Sequence, residues 1–151
     1  MRQRSIVAVL VLSTVLPGTA NVRMVGPADT PGTPDYTLAR FLSALYSADA
    51  GTVAVLYDEA DWSGTPWENR ARDNRGFVER SLRGDGPRYT YSPPREPAGP
   101  TALDDLLRDG RAVRLAELHH QTSAGWETST YYFLLERREG EWRVILFDEA
   151  P

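Results

Sequence analysis

Residues 111–150 narrow the choice of fold more than any other stretch of this chain. They read as three antiparallel strands, Arg111–Gln121, Glu127–Arg138 and Glu141–Glu149. Glu139-Gly140 separates the last two, and a two-residue loop carrying Gly suits a primed hairpin turn. That turn sets a register. Arg138 falls opposite Glu141, Glu136 opposite Arg143, Leu134 opposite Ile145 and Tyr132 opposite Phe147. The other face receives Arg137 with Trp142, Leu135 with Val144, and Phe133 with Leu146. Each pair is opposite charges, apolar on apolar, or a cation over a ring. A one-residue slip sets Arg137 against Arg143 and Glu136 against Val144, so the tight turn is preferred. Away from the turn both faces are apolar, which predicts a sheet covered on both sides.

The preceding strand has two registers open to it. With Ala124-Gly125 as a two-residue turn, Leu115 lies beside Leu134, Glu117 beside Tyr132 and His119 beside Thr130, with Ala116 beside Phe133 and Leu118 beside Tyr131 on the other face. A longer loop that includes Trp126 exchanges the faces.

At 151 residues, one domain is the default. Met1 to Ala20 has the layout of a secretory signal: Arg2 and Arg4, an apolar run from Ile6 to Leu16, then Pro17-Gly18 and small residues for cleavage. The apolar run is about half of the ~20 residues that span a bilayer. The expectation is an extracytoplasmic, secreted protein, membrane-bound only if this segment stays uncleaved. Without Arg2 and Arg4, 15 Arg face 21 acidic residues, a formal charge of −6. That balance argues against a nucleic-acid partner, which needs a concentrated basic face. The chain has no Cys and no Lys. Disulfides, thiol nucleophiles, Cys-ligated metals, Schiff bases and the phosphate-loop Lys are therefore excluded.

Asn21 to Pro34 is rich in Gly, Pro and Thr and reads as a flexible linker, leaving 35–151 as the domain. Thr33 caps a first helix with Pro34 at its first position. Leu38, Phe41, Leu42, Leu45 and Tyr46 form one buried stripe. Asp49 caps a second helix that turns Val53, Leu56 and Tyr57 inward. Asp58 to Glu68 is a loop or short strand holding Trp62 and Trp67, broken by Gly64 and Pro66. A third helix is expected from near Asp73 to Leu82, with Phe77, Val78 and Leu82 inward and Gly84 at its end. Arg88 to Tyr91 allows a short strand, and Pro93, Pro94, Pro97 and Pro100 impose a long loop. Thr101-x-x-Asp104 marks a short helix with Leu103, Leu106 and Leu107 inward.

Helices first and a curved antiparallel sheet last make an α+β pattern. Two segments carry a family likeness: Phe41 to Ala50 followed by Val53 to Asp61, and Glu136 to Ile145 with its Gly turn and Trp-x-apolar close. Here the chain resembles the NTF2-like superfamily, the cystatin-like cone shared by nuclear transport factor 2, ketosteroid isomerase and polyketide cyclases. The resemblance implies helices packed on a curved antiparallel sheet around a pocket, and many members are homodimers. The Pro-rich loop and the Thr101–Asp109 helix depart from the family pattern. A fold of this kind hosts isomerases, dehydratases, ligand binders and interaction domains, so it does not fix the function.

The enzyme reading needs a carboxylate base and a donor in one pocket. The isomerase-like members keep an acid just past the second helix, which corresponds to Asp61. Tyr46 is the matching donor, although an Asp in a loop also caps turns and a Tyr on an apolar stripe also packs. Glu117, His119 and Tyr132 share a face beside Leu115, Leu134 and Phe147, the composition of a small-ligand site or of a self-satisfied polar cluster. His119-His120 does not make a metal site, because adjacent strand residues point to opposite faces. Trp62 and Trp67 are either an exposed aromatic surface or lids on the core. No hydrolase, phosphate-loop or dinucleotide motif is present, and no cofactor is implied. The reading is a binding domain without catalysis, for a small apolar ligand or a protein partner. An isomerase- or dehydratase-like enzyme and a structural dimer module of the cell envelope are the alternatives.

Overall fold

A computed structural model describes residues 27–151. The signal segment and the lead as far as residue 26 lie outside the described residues. Three helices come first: α1 (Pro34–Ser47), α2 (Ala50–Leu56) and α3 (Glu68–Arg83). Four strands follow: β1 (Thr90–Tyr91), β2 (Arg111–Thr122), β3 (Gly125–Arg138) and β4 (Glu141–Glu149). They form one open antiparallel sheet in the order β1-β2-β3-β4. The class is α+β, with three N-terminal helices packed on a four-stranded sheet.

The local signals act as their chemistry demands. The Thr33 hydroxyl accepts from the Tyr36 N–H, the Asp49 carboxylate accepts from the Thr52 N–H, and Gly84 ends α3 in the left-handed region. Helix α3 begins five residues before Asp73. Its first turn is closed by a less regular device. Thr65 accepts from the Trp67 N–H, and the Glu68 carboxylate accepts from the Gly64 N–H. Tyr46 does not complete the α1 stripe. It is 44% exposed, while Leu45 in the same turn is buried in the core. Leu107 is also exposed, since the Thr101–Asp104 motif closes only a 3-10 turn, Asp104–Leu106.

The sheet is covered on both faces. The helices cover the face formed by Ala116, Leu118, Phe133, Leu135, Val144 and Phe147. Each Leu or Phe fully buried there contributes about 1.5–3 kcal/mol. The opposite face, with Val113, Leu134, Ile145 and Leu146, is closed by Trp62 and Leu103. The Trp pair thus belongs to the lids. Trp62 is buried and Trp67 packs at its flank.

Two register corrections follow. Next to the Glu139-Gly140 turn the pairs are Arg138 with Glu141, Arg137 with Trp142, Glu136 with Arg143 and Leu135 with Val144. Both turn residues have positive φ, as a primed turn requires. A β-bulge then inserts Ile145, so Leu134 faces Leu146, Phe133 faces Phe147 and Tyr132 faces Asp148. Ile145 and Leu146 consequently sit in the same cluster. In the β2–β3 hairpin the turn is Ser123-Ala124, one position earlier than Ala124-Gly125. Gly125 has φ +124°, a backbone that suits Gly, and the Thr122 hydroxyl accepts from the Ala124 N–H. Leu115 therefore pairs with Tyr132, Glu117 with Thr130, His119 with Thr128, Ala116 with Tyr131 and Leu118 with Ser129. The shift is two residues, so every side chain keeps its face.

Edges of a sheet expose unpaired backbone groups, and most of this one is dressed. On the outer side of β4, the Asp58 N–H donates to the Val144 carbonyl and the Trp62 indole N–H donates to the Ile145 carbonyl. The buried Asn74 amide then binds Phe147 at both its N–H and its C=O, at 2.8 and 2.9 Å. On the outer side of β2, Arg95 exchanges both bonds with Leu115, and the Ser92 N–H donates to Glu117. At the base of the β2–β3 hairpin, Glu136 collects Arg108, Arg111 and Arg138, and Arg138 also reaches Asp58.

Candidate functional site

The paired candidates Asp61 and Tyr46 do not meet. Asp61 lines an open groove of about 330 Å³ between the Trp62 loop and α3, beside Glu59, Glu68, Arg72 and Arg75. Its carboxylate accepts from the Ser63 N–H at 3.1 Å. That bond, joined by one from the Ser63 hydroxyl, lowers its pKa below the ordinary Asp value. A pocket base works best with a raised pKa, so this is the environment of a turn cap. Within the groove Arg75 holds Glu59 through two bonds at 2.8 and 3.0 Å.

Glu117 and His119 do share a face, with Tyr132 further along it. This is the face turned away from the helices. His119 binds the Ser92 hydroxyl through Nε2 at 2.9 Å and the Thr128 hydroxyl through Nδ1 at 2.8 Å. Arg95 donates to Glu117 at 3.2 Å. Ser92 and His119 thus have the contact of a nucleophile and its base. Two features oppose that use. The Glu117 carboxylate stands 3.5 Å from the Ser92 hydroxyl, where it would repel a developing oxyanion, and the Ser92 N–H is spent on the Glu117 carbonyl. The cluster satisfies itself and fastens the Pro-rich segment to β2.

A different cleft lies on the helix-covered face, at the C-terminal ends of α1 and α3. Leu42, Leu45, Phe77 and Leu118 form its floor. Tyr46, Tyr89 and Tyr91 stand around it, and Arg80 and Arg88 rim it. Burial raises the pKa of Tyr89 and Tyr91 above the ordinary phenol value, so both stay hydroxyl donors at neutral pH. The Arg88 guanidinium lies over the Tyr46 ring, 4.4 Å from its centroid, and donates to the Tyr46 carbonyl. Among the described residues, no carboxylate comes within 4.0 Å of the guanidinium of Arg80 or Arg88. The enclosed space is about 20 Å³, room for about one water.

Tyr46, expected as the donor beside Asp61, lines this cleft instead, and the two arginines had not been singled out. The available signal was local. Arg80 follows Phe77 by one helical turn, and Gly84, Gly86 and Pro87 bend the chain so that Arg88 returns toward α1. In comparisons with known proteins, no family model and no curated protein matches this chain.

Proposed function

We propose that this chain is a secreted NTF2-like domain that binds a small amphipathic acid and performs no chemistry of its own. Three helices laid on an antiparallel sheet, with a cleft between the layers, support the NTF2-like reading. The observation that carries the binding reading is the pair Arg80 and Arg88. In a chain of net charge −4, two guanidinium groups without a carboxylate partner flank an apolar floor. An apolar cleft with a few convergent polar groups is the usual form of a small-ligand site. Arginine suits a carboxylate because its planar fork can donate two parallel bonds. The phenols of Tyr89 and Tyr91 add neutral donors.

The small enclosed space limits the ligand. Its body must be short, or it must displace the Tyr46 ring from the mouth. A carboxylate on a short alkyl or single aromatic group fits both conditions. The test is a calorimetric titration with a panel of short alkyl and phenyl carboxylates, at low and at high salt. Binding that weakens in salt, and that is lost in an Arg80→Ala, Arg88→Ala double variant, is the expected result. Silence across the panel, or binding indifferent to the double variant, rejects the reading. The mass of protein recovered from the culture medium tests secretion, with a chain beginning near Asn21 expected.

A further inference from the structure

We propose that a groove beside the first turns of α1 is a second binding site, and that it takes a neutral sugar ring. The groove measures about 230 Å³ and lies between α1, the end of α2 and the β3–β4 turn. The cleft of Arg80 and Arg88 is at the other end of α1, and the two share no lining residue.

The residue that points to a ligand is Thr37. It lines the groove and is only 7% exposed. Among the described residues, no hydrogen bond reaches its hydroxyl. A helical Ser or Thr commonly returns its hydroxyl to a carbonyl one turn back, as Ser47 does here with Ser43 and Ala44. The Thr37 N–H reaches the Thr33 carbonyl at 3.3 Å, and the hydroxyl does not follow it. A buried polar group without a partner is rare in a native fold and calls for one. The other buried polar side chains of this kind are satisfied within the chain: Asp35 holds Arg114, and Asn74 holds the backbone of Phe147.

Two charged groups of opposite sign line the same groove. Among the described residues, neither the Arg40 guanidinium nor the Glu141 carboxylate has an ion-pair partner within 4.0 Å. Arg138, opposite Glu141 in the ladder, is taken by Glu136 and Asp58. Arg40 lies over the Tyr36 ring, 5.8 Å from its centroid. Tyr36 and Trp142 supply the aromatic walls. The Trp142 indole N–H donates to the Gly32 carbonyl at 3.1 Å, and Arg137 lies over its ring. With its polar end engaged, Trp142 offers a ligand its apolar body.

These groups select the chemistry of the ligand. A guanidinium only donates, a carboxylate only accepts, and a Thr hydroxyl does either. A sugar hydroxyl does both, so one polyol ring can satisfy all three. The C–H groups on one face of such a ring pack on an aromatic plane. Arg40 and Glu141 together carry no net charge, which favours a neutral ligand over an acid or a base. The volume falls below the ~300 Å³ of the smaller ligand pockets, enough for one ring with the rest of a saccharide outside.

An NMR titration with glucose, galactose, mannose and N-acetylglucosamine, each carried to tens of millimolar, tests the site. Saturable shifts of the Trp142 indole N–H and the Thr37 amide are expected with at least one of them. Thr37→Val keeps the shape of the side chain and removes the hydroxyl. It should weaken that binding about three- to tenfold. It should also leave the melting temperature unchanged or raised, because the hydroxyl has no partner in the free protein. Glu141→Ala, at an exposed position, should weaken binding as well. No shift with any of the four sugars overturns the proposal. So does binding that Thr37→Val and Glu141→Ala leave untouched, or a Thr37→Val melting temperature lowered by several degrees, which would mean that the hydroxyl is already satisfied.

Discussion

The long β2–β3 hairpin is one element with two unlike ends. At its base, Arg111 faces Glu136 within a cluster of ions, β4 lies alongside, and the outer edge of β4 is itself capped by Asn74 and Trp62. At its tip, beyond His119 on β2 and before Thr130 on β3, the two backbones pair only with each other, and His119 binds the Ser92 and Thr128 hydroxyls at the border of that region. Both ends have the same antiparallel ladder. The difference lies in where the outward backbone groups go. At the base each meets a partner the chain has placed for it, and at the tip they meet solvent. Stability is concentrated in the first arrangement and opportunity for contact in the second.

The largest effect that would test this contrast is Asn74→Ala. It leaves a buried N–H and a buried C=O of Phe147 unpaired, a loss of about 2–5 kcal/mol that urea unfolding would read. A loss below about 1 kcal/mol would mean the edge of β4 needs no cap. Acid comes next. Burial alone would raise the Glu136 carboxyl, but Arg138, Arg111 and Arg108 outweigh it and hold the pKa at about 2, against an ordinary 4.5. Because the folded value lies below the unfolded one, this stabilisation is complete above about pH 4.5 and is lost as the pH falls toward 2. The loss is roughly 3 kcal/mol, and Glu136→Gln should flatten that part of the stability curve. Trp62→Phe keeps the lid and removes one hydrogen bond to Ile145, which should cost about 1 kcal/mol. Trp126→Pro sharpens the comparison from the other end. Its N–H points away from β2, so thermal unfolding should move by no more than about 0.5 kcal/mol. A clear destabilisation there would show that the tip is not bare.

The elements that could be read from sequence are those fixed by neighbours in the chain. The Thr33-Pro34 start of α1, the Asp49 cap and the Glu139-Gly140 turn all act within four residues. The faces of β2 survived a misplaced turn because moving the turn by one position shifts the register by two residues and not one. The bulge at Ile145 had no local mark. Ile-Leu-Phe is apolar at every step, so both the regular and the bulged pairing satisfy it, and the choice is made by packing on the two faces. The start of α3 was hidden because its cap is shared between Thr65 and Glu68 and not held by one residue before the helix. The cleft was the least legible of all. Its floor comes from α1, α3 and β2, and its two arginines come from a helix end and a turn. No periodicity links them, and only the folded chain brings them together. Asp61 and Tyr46 failed to converge for the same reason in reverse, since each was plausible on its own element.

The bulge in β4 also bears on how this chain tolerates changes in length. Remove Ile145 from the ladder and the remaining pairs, Leu135 with Val144, Leu134 with Leu146 and Phe133 with Phe147, run on without interruption. Ile145 therefore stands as a one-residue insertion in an otherwise regular strand, absorbed without turning its neighbours inside out. A deletion variant lacking Ile145 should keep every other β4 side chain on its present face, at the expense of one buried side chain and of the bend that the bulge gives the sheet. Length, at this one position, is a variable that the fold can accommodate without changing its register.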